Sequence, residues 1–131
     1  MEVSPRGGGN RIAELQDMAT GQNLIRNEIK KALGLPIEDI QNPEYDGVWC
    51  NYIVHSSKSG ILDSVEIDPE FRYKHVKDEA LIAQTGDTIM PFTGANASLG
   101  TIFLRFDNRA LLDDALSRIS GYIKIKILHE R

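Results

Sequence analysis

The sequence predicts an α+β domain with a mainly antiparallel sheet and flanking helices, and three observations predict it. Residues 12–33 repeat apolar side chains at helical spacing, whereas residues 48–67 and 122–128 alternate large apolar with polar or second-face side chains at strand spacing. Between these regimes lies 36–47, which carries Pro36, Pro43, four acidic residues and a closing Asp46-Gly47. Helices grouped first and strands grouped after them, rather than a strict β-α repeat, favour α+β over a parallel sheet.

Each element has its own reason. Met1 and Val3 alternate with Glu2 and Ser4, the pattern of a short half-buried strand that Pro5 stops. Asn10 is read as the N-cap of a helix carrying Ile12, Leu15, Met18 and Ala19 up to Gly21. Asn23 caps a second helix with Leu24, Ile25, Ile29, Ala32 and Leu33, ending at Gly34 and Pro36. These stretches make a first part over 1–35, a linker over 36–47 and a strand-rich part over 48–131. In the last part 48–56 reads as a strand with large side chains on both faces, and Ser56–Gly60 as a hairpin loop returning through 61–67. Asp68-Pro69 opens a short helix near 70–75. Strands are expected at 80–84 and 88–92 about a Gly86-Asp87 turn, then a polar loop over 93–98 and a strand over 99–106. Asp107-Asn108 caps a helix with Leu111, Leu112, Ala115, Leu116 and Ile119 on one face. Residues 122–128 close the chain, with Ile123, Ile125 and Ile127 inward and Lys124 and Lys126 outward.

Composition narrows the function. With 131 residues, 41% hydrophobic and 26% charged, the chain has the balance of a globular domain able to bury a core. A net charge of −4 with scattered basic residues argues against a general nucleic-acid or membrane-surface binder, which needs a basic field. A single cysteine, Cys50, excludes an internal disulfide and reads as a buried, inert thiol; with an acidic amino terminus and no long apolar run, a cytoplasmic location is expected. His55, His75 and His129 show no ligand spacing, Asp113-Asp114 reads as a solvated face, and Gly7-Gly8-Gly9 lacks the following G-K-[ST] of a phosphate-binding loop.

One constellation remains. Glu2, Ser4 and Arg6 stand two apart, so an extended backbone projects a carboxylate, a hydroxyl and a guanidinium from one face. That set suits a metal-bound phosphate, since a carboxylate takes a hard cation and the Arg fork grips phosphate or carboxylate oxygens. Gly8, Gly9 and Asn10, at a helix start, could offer backbone N–H groups to an anion. On spacing alone such a strand followed by three glycines is more often a solvated strand end and a flexible turn.

The order of motifs adds a resemblance. Glu2-Val-Ser-Pro-Arg6-Gly-Gly-Gly-Asn10-Arg11, then Ile12-Ala-Glu-Leu15, then Ala19-Thr20-Gly21-Gln-Asn23-Leu24-Ile25 and a run ending Ala32-Leu33-Gly34-Leu35-Pro36, resembles the metal-binding strand and following helices of the ATP-grasp superfamily. The chain thus resembles the carboxyl-terminal part of a ligase like carbamoyl-phosphate synthase, phosphoribosylglycinamide synthetase or the amino-acid ligases. The resemblance implies a C-terminal ATP-grasp subdomain with ATP and Mg²⁺ as cofactors and a small carboxylate as substrate. It implies Glu2 and Ser4 as metal and cofactor contacts, Arg6 as the catalytic clamp, and Arg6, Gly7, Gly8 and Asn10 on the substrate side. Ser4 stands where the family usually has Asn, which implies a weaker or water-mediated metal contact. The family's adenine-gripping lysines, phosphate-covering glycine loop and further acidic ligand precede this motif and are not in the chain. The expectation is therefore a fragment of a carboxylate-amine ligase, inactive alone and self-associating as a homodimer through uncovered apolar surface. The alternative is a short noncatalytic module for self-association or partner docking.

Overall fold

A computed structural model describes residues 8–128. The expected first strand, over 1–4, lies outside the described residues. The chain divides into two compact units, Met1–Gly47 and Val48–Arg131.

The first unit is a pair of short helices and an extended strap. Helix α1 spans Ile12–Thr20 and α2 spans Leu24–Ala32. Gly21 ends α1 in the left-handed region, with its N–H on the Asp17 carbonyl. Asn23 caps α2 as expected, its Oδ1 accepting from the Arg26 N–H at 2.8 Å. At the other end Gly34, at φ 69°, lets the Leu35 N–H reach the Lys30 carbonyl (2.9 Å) and its own N–H reach Lys31 (3.1 Å), a Schellman closure. The 36–47 segment holds no regular element, yet two amide side chains tie it back. Gln22 donates to the Gln41 carbonyl (2.7 Å) and accepts from the Gln41 N–H (2.9 Å). Asn27 does the same with Glu38, at 3.0 and 2.9 Å. Each amide thereby pairs both backbone groups of one residue, as a neighbouring strand would.

The second unit holds two three-stranded antiparallel sheets. The first has the order β1-β5-β3, from Val48–Val54, Gly100–Phe106 and Val76–Leu81; the second has the order β4-β2-β6, from Thr88–Ile89, Gly60–Ile67 and Ile123–Leu128. Helices α3 (Pro69–His75), α4 (Arg109–Ser117) and α5 (Ile119–Tyr122) flank them. Inward side chains of both sheets and the helices meet in one core, including Val54, Leu62, Phe71, Ile102, Phe106 and Leu112. Asp68 caps α3 on the Phe71 N–H (2.8 Å) and Asn108 caps α4 on the Leu111 N–H (3.0 Å). Gly100, at φ 146°, must be glycine, because a Cβ there would collide with the Ala80 carbonyl of β3.

Several expectations are corrected. Strands 48–56 and 61–67 do not form a hairpin: β1 runs in seven-residue register with β5, from Val48↔Phe106 to Val54↔Gly100, while β2 joins the other sheet. The connecting loop crosses between sheets, with Ser56 accepting from the Lys58 N–H through its hydroxyl and from the Phe92 N–H through its carbonyl. The 80–84 strand lies instead at 76–81. Its charged Lys77 and Glu79 point to solvent on an edge strand, and a register shift sits between Val76 and Asp78. The 88–92 strand is cut to Thr88–Ile89, since Pro91 cannot donate to a ladder. Leu111 is 46% exposed rather than part of the inward face of α4, which is carried by Leu112 and Ala115.

Candidate functional site

The candidate loop leads into α1. Glu2, Ser4, Arg6 and Gly7 lie outside the described residues, so the structure places only its later part, Gly8 to Arg11. Asn10 does not cap α1. The cap position is Arg11, at φ 62° with no side-chain cap bond, and Asn10 before it stands at φ 55°. Two successive non-glycine residues in the left-handed region are costly, and such backbone is held only where its surroundings fix it. The Arg11 guanidinium reaches forward one turn and donates through Nε (2.9 Å) and Nη2 (2.7 Å) to one carboxylate oxygen of Glu14. Gly8 and Gly9 are exposed; a Cβ on Gly9 would meet nothing within 4 Å and one on Gly8 only the Ile12 side chain at 3.6 Å.

The following motif residues turn the chain. Thr20 Oγ donates to the Gln16 carbonyl (2.6 Å) and accepts from the Gln22 N–H (3.2 Å). Asn23, besides capping α2, donates through Nδ2 to Asp17 at 2.7 Å. The Ala-Thr-Gly-Gln-Asn-Leu step is thus a helix-to-helix corner that fixes how α1, with the loop at its head, leaves α2.

In the second unit the polar chemistry is sparse. No group of three or more His, Cys, Asp or Glu side chains among the described residues could hold a metal ion. Cys50 is half-buried rather than buried, and burial pushes its thiol above the ordinary value, which keeps it in the unreactive form. His55 leans on Phe92, with ring centroids 4.7 Å apart, and His75 stacks on Phe106 at 4.2 Å while its Nδ1 meets the Arg105 carbonyl at 3.2 Å. Asp113 and Asp114 pair with Arg109 and Arg118 on the solvated face of α4.

An open cleft of about 560 Å³, lined by Ile82, Asp87, Met90, Thr93, Asn96 and Ser98 among others, was not legible in the sequence. The available signal was a polar 93–98 loop beside apolar residues that the structure leaves exposed, Ile82 at 69% and Met90 at 60%.

The α+β architecture, with antiparallel sheets and flanking helices, is shared with segments of two solved structures. The chain is similar to the crystal structure of an L-amino acid ligase from Bacillus licheniformis, with a TM-score of 0.75 and 17% identity over 94% of this chain and 31% of that one. It is also similar to phosphoribosylglycinamide synthetase from Anaerococcus prevotii, with a TM-score of 0.70 and 18% identity over 94% of this chain and 32% of that one. At such identities the likeness is one of fold. The chain spans about a third of the length of these two proteins. No family model and no curated protein matches its sequence. Among the described residues no helix is long and apolar enough to cross a membrane.

Proposed function

We propose that this chain supplies one part of an ATP- and magnesium-dependent carboxylate-amine ligase and is inactive alone. The observation that carries the reading is the likeness in fold of 94% of the chain to an L-amino acid ligase and a phosphoribosylglycinamide synthetase, in which it matches less than a third of each. The ordered Glu2-x-Ser4-Pro-Arg6-Gly-Gly-Gly-Asn10 motif supports it from the sequence.

The donor chemistry fits the implied metal. Glu2 offers a hard anionic oxygen and Ser4 a neutral one, which suits magnesium held together with ATP phosphates. Bound there, the ion would neutralise charge on the transferred phosphoryl group. The substrate carboxylate attacks the γ-phosphorus of ATP, ADP leaves, and an acyl phosphate results; the amine then attacks the acyl carbon and phosphate leaves. In this sequence Arg6 clamps the transferred phosphate or the substrate carboxylate, while Gly7, Gly8 and Asn10 line the substrate side. Arg11, engaged with Glu14, acts as a brace for the loop. The cellular place of such a reaction is the cytoplasm.

A second reading draws on a specific observation. Residues 8–47 include no buried side chain, while Leu33, Ile40 and Tyr45 are at least 66% exposed. A 131-residue chain of this kind self-associates, as a noncatalytic module would. Titration of Mg·ATP into the chain separates the readings' chemistry from a self-sufficient enzyme: negligible heat is expected, and millimolar or tighter binding would overturn the claim that the site is incomplete.

A further inference from the structure

We propose that Asp46 is a site of spontaneous covalent modification, at which the native chain forms isoaspartate. The proposal concerns residues this chain itself carries and is independent of the ligase reading.

Asp46-Gly47 is the only place in the sequence where an aspartate or asparagine precedes glycine. The chemistry is confined to that pair. The Gly47 amide nitrogen attacks the Asp46 carboxyl carbon, a water molecule leaves, and a succinimide ring forms. Water then opens the ring at either carbonyl, giving aspartate or isoaspartate with no net change in mass. A side chain on the following residue crowds the attacking nitrogen, and glycine has none.

The structure adds what the dipeptide alone does not. Asp46 is exposed, and residues 36–47 belong to no helix or strand. Gly47 follows it in the left-handed region, at φ 77°. The amide ties grip the strap at Glu38 and Gln41, and the β1 ladder begins at Val48↔Phe106, so Asp46 stands between two anchored stretches. Ring closure needs rotation of the backbone at the aspartate, which a helix or a ladder resists until it opens locally. Asp17, Asp113 and Asp114 lie in helices and Asp63 and Asp78 in strands, while Asp68 precedes Pro69, whose nitrogen carries no proton. An exposed carboxylate's ion pair is worth at most about 1 kcal/mol, so it slows but does not stop a cyclisation that proceeds over days.

Isoaspartate carries the main chain through the former side chain and so adds one methylene to the backbone, two residues before the first β1–β5 pair. It also presents a free α-carboxylate. That group is what a repair methyltransferase of the isoaspartate-specific class esterifies with a methyl group from S-adenosylmethionine, and this is the kind of partner the aged chain would recruit.

The test is incubation of the full chain for several weeks in neutral buffer at physiological temperature, with a second sample held unfolded in urea. Isoaspartate is located by electron-transfer fragmentation and by a protease that cuts before aspartate but not before isoaspartate. More isoaspartate is expected at position 46 of the native chain than at all its other aspartates and asparagines together. The signal should be lost in Asp46→Glu, an exposed change whose cyclisation requires a larger and slower-forming ring. Absence of isoaspartate at 46 in the native chain would overturn the proposal, and its presence at 46 in the urea sample would then show that the fold protects the site. A native chain that isomerises chiefly at another position would overturn it as well. None of these outcomes changes the expected heat with Mg·ATP, so the ligase reading stands or falls separately.

Discussion

Residues 8–47 and residues 48–128 obtain their shape by different means. In the first unit the end of α1, both ends of α2, the corner at Thr20–Asn23 and the strap are specified by named hydrogen bonds, and no side chain among the described residues is buried. In the second, Phe103, Ile102 and Leu104 on one strand are 0% exposed and the inward faces of two sheets share a core. A net hydrogen bond contributes only about 1 kcal/mol, and a large buried apolar side chain about 1.5–3 kcal/mol. Geometry can therefore be written by polar contacts while stability comes from apolar burial. The first unit has a definite shape and little to hold it, which is the condition of a surface that is completed by something else.

The largest expected effect tests the core. Phe106→Ala, which empties a fully packed position against Phe71 and His75, should destabilise the second unit by about 3–5 kcal/mol, read by urea unfolding. A cost under about 1 kcal/mol would remove the contrast between the units. A smaller effect is expected from Asn27→Ala, which releases Glu38 from its amide tie. About 1 kcal/mol of local stability should be lost, seen as faster hydrogen exchange and proteolysis in 36–47 with no change in the urea midpoint of the second unit. An equal loss in both units would mean that they unfold together.

The smallest effect is one of pH. Burial raises the Cys50 thiol, with Arg109 only partly offsetting it, so the folded state disfavours the thiolate. Its contribution to stability is full below the thiol's unfolded value and is lost as pH rises through the higher folded value. Alkylation of Cys50 in the native chain should accordingly have its pH midpoint above that of the chain in urea; coincident midpoints would show an unshielded thiol.

The same contrast explains what was legible in the sequence. Helix ends were readable where one residue type does one job, as at Asn23, Gly34, Asp68 and Asn108, because caps are local. Alternation found β6 and the bulk of β1 and β2, and the expected strand over 99–106 is β5. Strand partners were not readable: β1 prefers β5, nearly fifty residues on, over its chain neighbour β2, and a pattern of alternation does not name its partner. Strand β3 was misplaced because Lys77 and Glu79 look like a loop until an edge position gives them water. At the loop, asparagine before a helix suggested a cap, but Asn10 and Arg11 take left-handed backbone that no side-chain rule announces. Of the candidate site the sequence offered Glu2, Ser4 and Arg6 through spacing and resemblance, whereas the fold likeness speaks to the scaffold that would carry them.

The most direct test of the ligase reading is the mass of the native polypeptide that contains Met1-Glu-Val-Ser-Pro-Arg6, measured by mass spectrometry on an extract of the source cells. A product several times heavier than 14.6 kDa is the expected result, with the incomplete half of the site supplied by the same polypeptide. A product of 14.6 kDa would contradict it, and the self-associating module would then be the protein's own function.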